Sequence, residues 1–241
     1  MINVFLIGTC RIHRPFGCNS VTRNPFHFNN IYNALNLLGK YSFLGYFHNI
    51  KEIKQLVDLL INNYSSAMTN EIINMVINPK FLDPMDLTRQ IENTREMFRL
   101  ADIVVMEIST SKNNPTTVNE TTIHFYEPGL PKDAFEVISE QEYEEIFKYL
   151  IETLTSLNKK ILFVSHFNHN HFPLRQFIID MCEKHLDKNL FFNPTETVIH
   201  SLPDSIEDTS HYSNEGELLI MNELHLKIQN IFGHFGEKHT N

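Results

Sequence analysis

Three side chains whose types suit acyl transfer stand near opposite ends of the chain. Cys10 follows the apolar run at residues 2–7, and Asp208 and His211 are three residues apart in "EDTSHYSNEG", residues 207–216. A carboxylate can fix the tautomer of a nearby imidazole and stabilise its protonated form. A base oriented in this way can activate a thiol nucleophile. We therefore predict a Cys10, His211, Asp208 triad, provided that the fold brings the two ends of the chain together.

Basic residues surround the thiol in "LIGTCRIHRPF", residues 6–16. The pKa of a free thiol is about 8.5, and nearby cationic groups lower it. Arg11, Arg14 and His211 are the candidates for that effect on Cys10. An ionised Cys10 would attack an ester or thioester, and the resulting thioester can pass its acyl group to an alcohol. The backbone N–H of Arg11 is predicted to point toward the developing oxyanion.

The same residues also have structural interpretations. A free cysteine is often a small buried hydrophobe, as Cys10 could be, and Asp208 with His211 could form a helix-capping loop. We interpret Cys18 and Cys182 as core residues. An odd number of cysteines without a C-x-x-C pair argues against a disulfide scaffold and a cysteine-rich zinc site.

A histidine-rich segment, "HFNHNHF", contains His166, His169 and His171. The spacing matches no helix-based zinc motif and no carboxylate accompanies it, so no metal site is predicted. We interpret His166 instead as part of a loop that contacts substrate. His48, which follows "GYF", is a further candidate for the site.

The composition bounds the class of protein. The 241 residues suffice for one large domain or two small ones, and without a repeat or a linker a single domain over residues 1–241 is predicted. The net charge of −9 argues against a nucleic-acid partner. The sequence has no apolar stretch long enough for a membrane span and no signal-peptide pattern, so a cytoplasmic protein is expected.

Apolar runs along the chain alternate between strand and helix patterns. The predicted strands are residues 2–7, 102–109 and 160–166, with a fourth candidate at 189–195. The predicted helices are residues 28–38, 51–64, 86–101, 139–157, 174–186 and 214–232. Because strands separated by helices imply parallel crossovers, the predicted fold is α/β. We expect a three-layer α/β/α sandwich with a central, mainly parallel sheet of about five strands.

Polar residues collect where the predicted strands end. Cys10, residues 109–112 and residues 165–166 all follow predicted strands, and ligands of open parallel sheets bind at the carboxyl ends of strands. The Asn-, Thr- and Pro-rich segment at residues 113–133 is predicted to leave the core and border the same site. The pattern therefore predicts one site at one edge of the sheet.

A nucleophile after the first strand and D-x-x-H before the last helix resemble the SGNH, or GDSL-type, hydrolase superfamily. The phrase D-x-x-H-Y-S-x-x-G, residues 208–216, is the most specific part of the resemblance. "GTCR" is similar to the family's first block, with Cys10 in place of the usual serine. Cysteine-bearing relatives include GSCFA-like and capsule-polysaccharide acyltransferase-like proteins. The resemblance implies a flavodoxin-like SGNH fold and acyl transfer on esters, often of sugars or lipids.

The sequence departs from the family pattern at the oxyanion hole. Gly45 in "GYFHN" is a candidate for the second-block glycine, but no G-x-N-D follows the strand at residues 102–109. The chain reads "EISTSKNN" there, which offers Ser109, Ser111 or Asn113 as the missing donor. The sequence does not choose among the three.

Three functions follow from these observations. The first is an acyl-transfer enzyme (esterase, thioesterase or O-acyltransferase) that acts on a small-molecule or glycan substrate. It would require no cofactor, with acyl-CoA as one candidate acyl donor. The second is a non-catalytic ligand-binding domain with a degenerate SGNH site. The third is a metal-dependent hydrolase built on the histidine-rich segment.

Overall fold

A five-stranded parallel sheet forms the centre of the fold. A computed structural model of the protein describes residues 1–16, 35–37, 46–61, 87–118, 120–126 and 129–233. The strands of this sheet are β1 (Ile2–Ile7), β2 (Leu35–Leu37), β3 (Ile103–Ile108), β7 (Lys160–Ser165) and β8 (Phe191–Phe192), in the order β2-β1-β3-β7-β8. The predicted α/β fold with a mainly parallel sheet of about five strands is confirmed.

Helices cover both faces of this sheet. They are α1 (Cys10–His13), α2 (Ile50–Leu60), α3 (Leu87–Leu100), α4 (Glu140–Ser156), α5 (Pro173–His185), α6 (Thr195–His200) and α7 (Asn214–Ile231). Side chains of a strand alternate between the faces, so Val104 and Met106 pack with α2, α3, α4 and α5, whereas Ile103 and Val105 pack with α1, α6 and α7. None of the helices in the described ranges is long and apolar enough to cross a bilayer.

One predicted helix is wrong where the structure describes it. Residues 35–37, inside the predicted helix at residues 28–38, form β2 and pair in parallel with β1, Ile2 opposite Leu35. A short apolar run fits either pattern, and here pairing with the side of β1 that faces away from β3 decided the outcome. The rest of that range lies outside the described residues, as do Cys18 and Gly45.

The polar segment after β3 forms a second, antiparallel sheet. Its strands are β4 (Lys112–Val118), β5 (Thr121–Phe125) and β6 (Glu136–Val137), in the order β5-β4-β6. Pro115 has no backbone N–H to donate to a neighbouring strand. The strand β6 pairs only with Lys112 and Asn113, so the proline lies beyond that pairing. The segment starts at the carboxyl end of β3, which places the beginning of this small sheet beside the ends of the central strands.

Candidate active site

The turn that carries Cys10 is pressed against β3. Gly8 ends the first strand with a φ of 155°, and a Cβ there would lie 2.7 Å from Cβ of Glu107 and 2.8 Å from Cγ2 of Ile12. Thr9 is the N-cap of α1, and Cys10 is its first residue. The glycine is therefore required for the close approach that sets the position of the thiol.

Glu107, a buried carboxylate in β3, holds this turn. Its side chain is 1% exposed and accepts hydrogen bonds from the backbone N and the hydroxyl of Thr9 at 2.8 and 2.6 Å, and from Nε of Arg11 at 2.6 Å. Burial alone would raise the pKa of Glu107, but the charge of Arg11 and these hydrogen bonds hold it below its usual value. Sequence reasoning missed this residue. The signal was a single carboxylate in the otherwise apolar "IVVMEI", since a buried charge needs a partner.

Asp208 orients the imidazole of His211. Oδ2 of Asp208 lies 2.8 Å from Nδ1 of His211, and Oδ1 accepts from the backbone N of Ser210 and of His211 at 2.6 and 2.8 Å. The hydrogen bond with His211 lowers the pKa of Asp208, so the carboxylate is ionised and only accepts. Nδ1 of His211 is therefore the donor, and in the neutral ring Nε2 carries the free lone pair.

Contacts beside this pair fix where the last helix begins. Ser213 is the N-cap of α7, and its hydroxyl accepts from the backbone N of Gly216 at 3.1 Å. A Cβ at Gly216 would lie 1.8 Å from the carbonyl oxygen of Ser205, so only glycine fits. This explains the final glycine of the D-x-x-H-Y-S-x-x-G phrase.

Cys10 and His211 line the same cleft of about 540 Å³ at the carboxyl ends of β1, β3 and β7. Its lining residues are Thr9, Cys10, Arg11, Tyr46, His48, Ser109, Thr110, Lys112, Tyr126, His166, Phe172, Leu174, Arg175, Ile178, Ser210 and His211. The cleft thus brings together six of the residues expected from the sequence: Cys10, Arg11, His48, Ser109, His166 and His211.

The three candidate oxyanion donors after β3 do not lie together: Ser109 lines the cleft, and Ser111 and Asn113 do not. Ser111 is fully buried and does not line it, and Asn113 donates its side-chain amide to Glu136 at 2.6 Å within the second sheet. Ser109 does line the cleft, but its backbone N and its hydroxyl donate to the carbonyl of His48 at 2.8 and 3.1 Å. The antiparallel pairing of Asn113 with Glu136 holds Asn113 in the second sheet, so Ser109 is the one of these three that lies at the cleft.

The thiol of Cys10 is not activated by its basic neighbours alone. Burial raises the pKa of Cys10; Arg11 lowers it, but Glu107 offsets part of that effect. Arg14, another expected activator, also lowers the pKa of Cys10, although it is paired through Nε with Glu217 at 2.6 Å. The expectation of a lowered thiol pKa is therefore wrong. Cys10 holds its proton at neutral pH, so a reaction at its sulfur needs a base.

Two further histidines in the cleft are neutral. Burial, and then the charge of Arg11, lowers the pKa of His48 to about 4 and that of His166 well below its usual value. Nδ1 of His166 lies 2.8 Å from the carbonyl oxygen of Phe167, which only accepts, so Nδ1 carries the proton. The Nε2 of His166 can accordingly accept a hydrogen bond from a ligand.

Cationic side chains line the cleft although the chain has a net charge of −9, and one of them, Arg11, is paired with the buried Glu107. Arg11, Lys112 and Arg175 line it, and no carboxylate is among the described residues of the lining. Such a cleft favours ligands that carry negative charge. The described part of the chain contains no group of three or more His, Cys, Asp or Glu side chains that could hold a metal ion.

Comparison with known proteins gives one match. The family model described as the TviD N-terminal domain matches residues 2–126, which are 125 of the 241 residues. No curated protein and no solved structure matches the chain. The matched region includes Gly8, Cys10 and Glu107 and ends before Asp208. Because the match extends over more than half of its length, the chain belongs to the TviD N-terminal domain family.

Proposed function

We propose that the protein is an SGNH-type acyltransferase that uses Cys10 as nucleophile, His211 as general base and Asp208 as the carboxylate that orients the base. One observation carries this proposal: Cys10 and an imidazole already bonded to a carboxylate line one cleft. The family, that of the N-terminal domain of a Vi capsule polysaccharide acetyltransferase-like protein, supports acyl transfer in general and is compatible with a glycan substrate.

The geometry supports a two-step reaction. Nε2 of His211 takes the proton of the Cys10 thiol while the sulfur attacks the carbonyl carbon of an acyl thioester or ester. The bond to the leaving group then breaks, and the leaving group takes the proton back from Nε2. In the second step a sugar hydroxyl gives its proton to Nε2, its oxygen attacks the thioester on Cys10, and the released sulfur is reprotonated.

Two features of the cleft suit this sequence of steps. Because the pKa of Cys10 is raised, attack by the sulfur depends on proton transfer to His211 rather than on a thiolate that is already present before the reaction. The backbone N–H of Arg11 makes only a long bond of 3.4 Å to the hydroxyl of Thr9, so it remains our candidate to stabilise the oxyanion.

The test is acyl transfer from acetyl-CoA, with 4-nitrophenyl acetate as a second donor, to a panel of mono- and oligosaccharides. Cys10→Ala should abolish transfer, and mass spectrometry should find the trapped acyl group on Cys10. Asp208→Asn should lower kcat by about 10²- to 10⁴-fold, because it orients the base without reacting. Cys182→Ser is the matched control, since Cys182 is a buried thiol of α5 outside the cleft. Full activity after alkylation of Cys10 would refute the assignment.

The second candidate is a ligand-binding domain without catalysis. The observation that favours it is that Ser109 and Asn113, two of the expected side-chain donors for the oxyanion, are hydrogen-bonded to other groups in the described part of the chain. On this hypothesis, saccharides bind with the same affinity to the protein and to its Cys10→Ala variant, and no acyl-enzyme forms. Calorimetric titration measures the binding, and the presence or absence of an acyl group on Cys10 after incubation with acetyl-CoA decides between the two functions.

A further inference from the structure

Two arginines hold the loop between Asp208 and His211 from different elements. Nη1 of Arg11, in α1, donates to the carbonyl of Ser210 at 3.2 Å. Nη1 of Arg175, in α5, donates to the carbonyl of Thr209 at 2.6 Å, and its Nη2 donates to the hydroxyl of Ser210 at 3.1 Å. The two guanidinium groups thus bind consecutive residues immediately before His211.

Arg11 has a geometry that only a guanidinium can provide. Its Nε is held by the buried carboxylate of Glu107 at 2.6 Å, while Nη1 reaches a loop that is 199 residues away in sequence. A lysine ammonium is a single point of charge and cannot supply two fixed donors in diverging directions. The chain of bonds from Glu107 through Arg11 to Ser210 therefore joins β3, the nucleophile turn and the base loop.

Arg175 is fixed by its surroundings as well. Its guanidinium carbon lies 4.8 Å from the ring centre of Phe172 and 5.8 Å from that of Phe167, and Nη1 also donates to the carbonyl of Phe167 at 3.3 Å. Burial and the nearby charge of Arg11 lower its pKa to about 10, which leaves it charged at neutral pH. No ion pair of Arg175 is found among the described residues, and its contacts with the loop are the hydrogen bonds to Thr209 and Ser210.

We propose that Arg11 and Arg175 are positioning residues that set the distance between the Cys10 sulfur and Nε2 of His211 by holding the loop that carries His211. The inference rests on the proposed function, because it assumes that His211 acts on Cys10. A displacement of about 1 Å between reacting groups can lower a rate about 100-fold. We therefore expect Arg11→Lys to lower kcat by roughly 10- to 100-fold, with KM changed by less than about threefold.

The sharpest test is a double-mutant cycle that needs no acyl substrate. The rate of Cys10 alkylation by iodoacetamide at pH 7 is measured at the peptide level in the parent protein, His211→Gln, Arg11→Lys and the double variant. Loss of the base should slow alkylation roughly tenfold in the parent protein, because reactivity follows the thiolate fraction. In the Arg11→Lys protein, the same His211→Gln change should alter the rate by less than about twofold, because the base is no longer coupled to the thiol.

Arg95→Lys is the matched control. Nε and Nη2 of Arg95 donate to the carbonyl of Leu59 at 3.2 and 3.0 Å, so it also holds a peptide carbonyl, but outside the cleft. In the Arg95→Lys protein, His211→Gln should still slow alkylation of Cys10 as much as it does in the parent protein. Should Arg11→Lys fail to fold, Arg175→Lys tests the same loop from α5.

The outcomes separate this inference from the proposed function. An equal effect of His211→Gln in the parent and Arg11→Lys proteins would overturn the positioning role and leave the base assignment standing. No effect of His211→Gln in the parent protein would overturn both. Loss of the effect in both the Arg11→Lys and Arg95→Lys proteins would show a general response to arginine replacement, which also overturns the positioning role.

Discussion

Replacing Glu107 by glutamine should lower the free energy of unfolding more than the same kind of change in an exposed ion pair. The Glu107 side chain is 1% exposed and that of its partner Arg11 is 10% exposed, so solvent screens the pair little. Glutamine keeps the shape, and its oxygen can still accept from Thr9. Its amide group would then face Nε of Arg11, which places a donor against a donor and leaves a buried cation without its counter-charge.

The magnitude follows from that loss. Removing one partner of a buried ion pair costs about 3–5 kcal/mol, of which the charge-assisted hydrogen bond alone accounts for about 1.5–3 kcal/mol. For a chain of this size each kcal/mol lowers Tm by roughly 2–4 °C, so the expected fall in Tm is roughly 6–20 °C. Glu92→Gln is the control: Glu92 pairs with Arg95 at 2.6 Å, but the Glu92 side chain is 63% exposed, and we expect a loss of about 1 kcal/mol or less.

Urea denaturation followed by circular dichroism measures both variants against the parent protein. The difference between parent and Glu107→Gln should shrink in acid. The folded-state pKa of Glu107 lies below its usual value, so its stabilising effect is present above that usual value and is lost as the pH falls through the folded-state pKa. A loss under about 1 kcal/mol at pH 7, or one no larger than that of Glu92→Gln, would refute a buried Arg11–Glu107 pair.

Two further predictions concern charge. The cationic side chains that line the cleft should favour anionic reagents. Lys112→Gln or added salt should therefore lower the rate of Cys10 alkylation by iodoacetate, relative to the rate with neutral iodoacetamide, by about threefold. An unchanged ratio of the two rates would contradict this prediction. Burial lowers the pKa of His13 to about 4 in the folded protein. The folded state therefore favours the neutral ring. The stability that this group contributes is present above the unfolded pKa of about 6.5 and is lost as the pH falls toward 4. Urea denaturation at pH 7 and pH 4 should show that the parent protein loses about 3 kcal/mol more free energy of unfolding between the two pH values than His13→Gln does. An equal pH dependence in both proteins would contradict this prediction.

Features that depend on neighbours in sequence could be predicted from the sequence. The apolar runs that form β1, β3 and β7 are long and unambiguous, because strands buried on both faces need such residues throughout. Ser139 and Glu142 form a capping box at the start of α4, and such a box depends only on a three-residue spacing in the sequence. The bond between Asp208 and His211 likewise depends on a three-residue spacing within one loop.

Contacts between distant segments were decided only by the tertiary structure. Residues 35–37 form a strand because they pair with the side of β1 that faces away from β3. The polar segment after β3 forms a sheet because its three short strands pair with one another. Thr9 and Glu107 are 98 residues apart, and Arg11 and Ser210 are 199 apart, so no local pattern reveals either contact. The sequence by itself therefore determined which residue types could do chemistry at the ends of the strands. The packing of α1 against β3 and the base loop decided that Arg11 pairs with Glu107, because a buried charge binds the nearest counter-charge that the fold supplies.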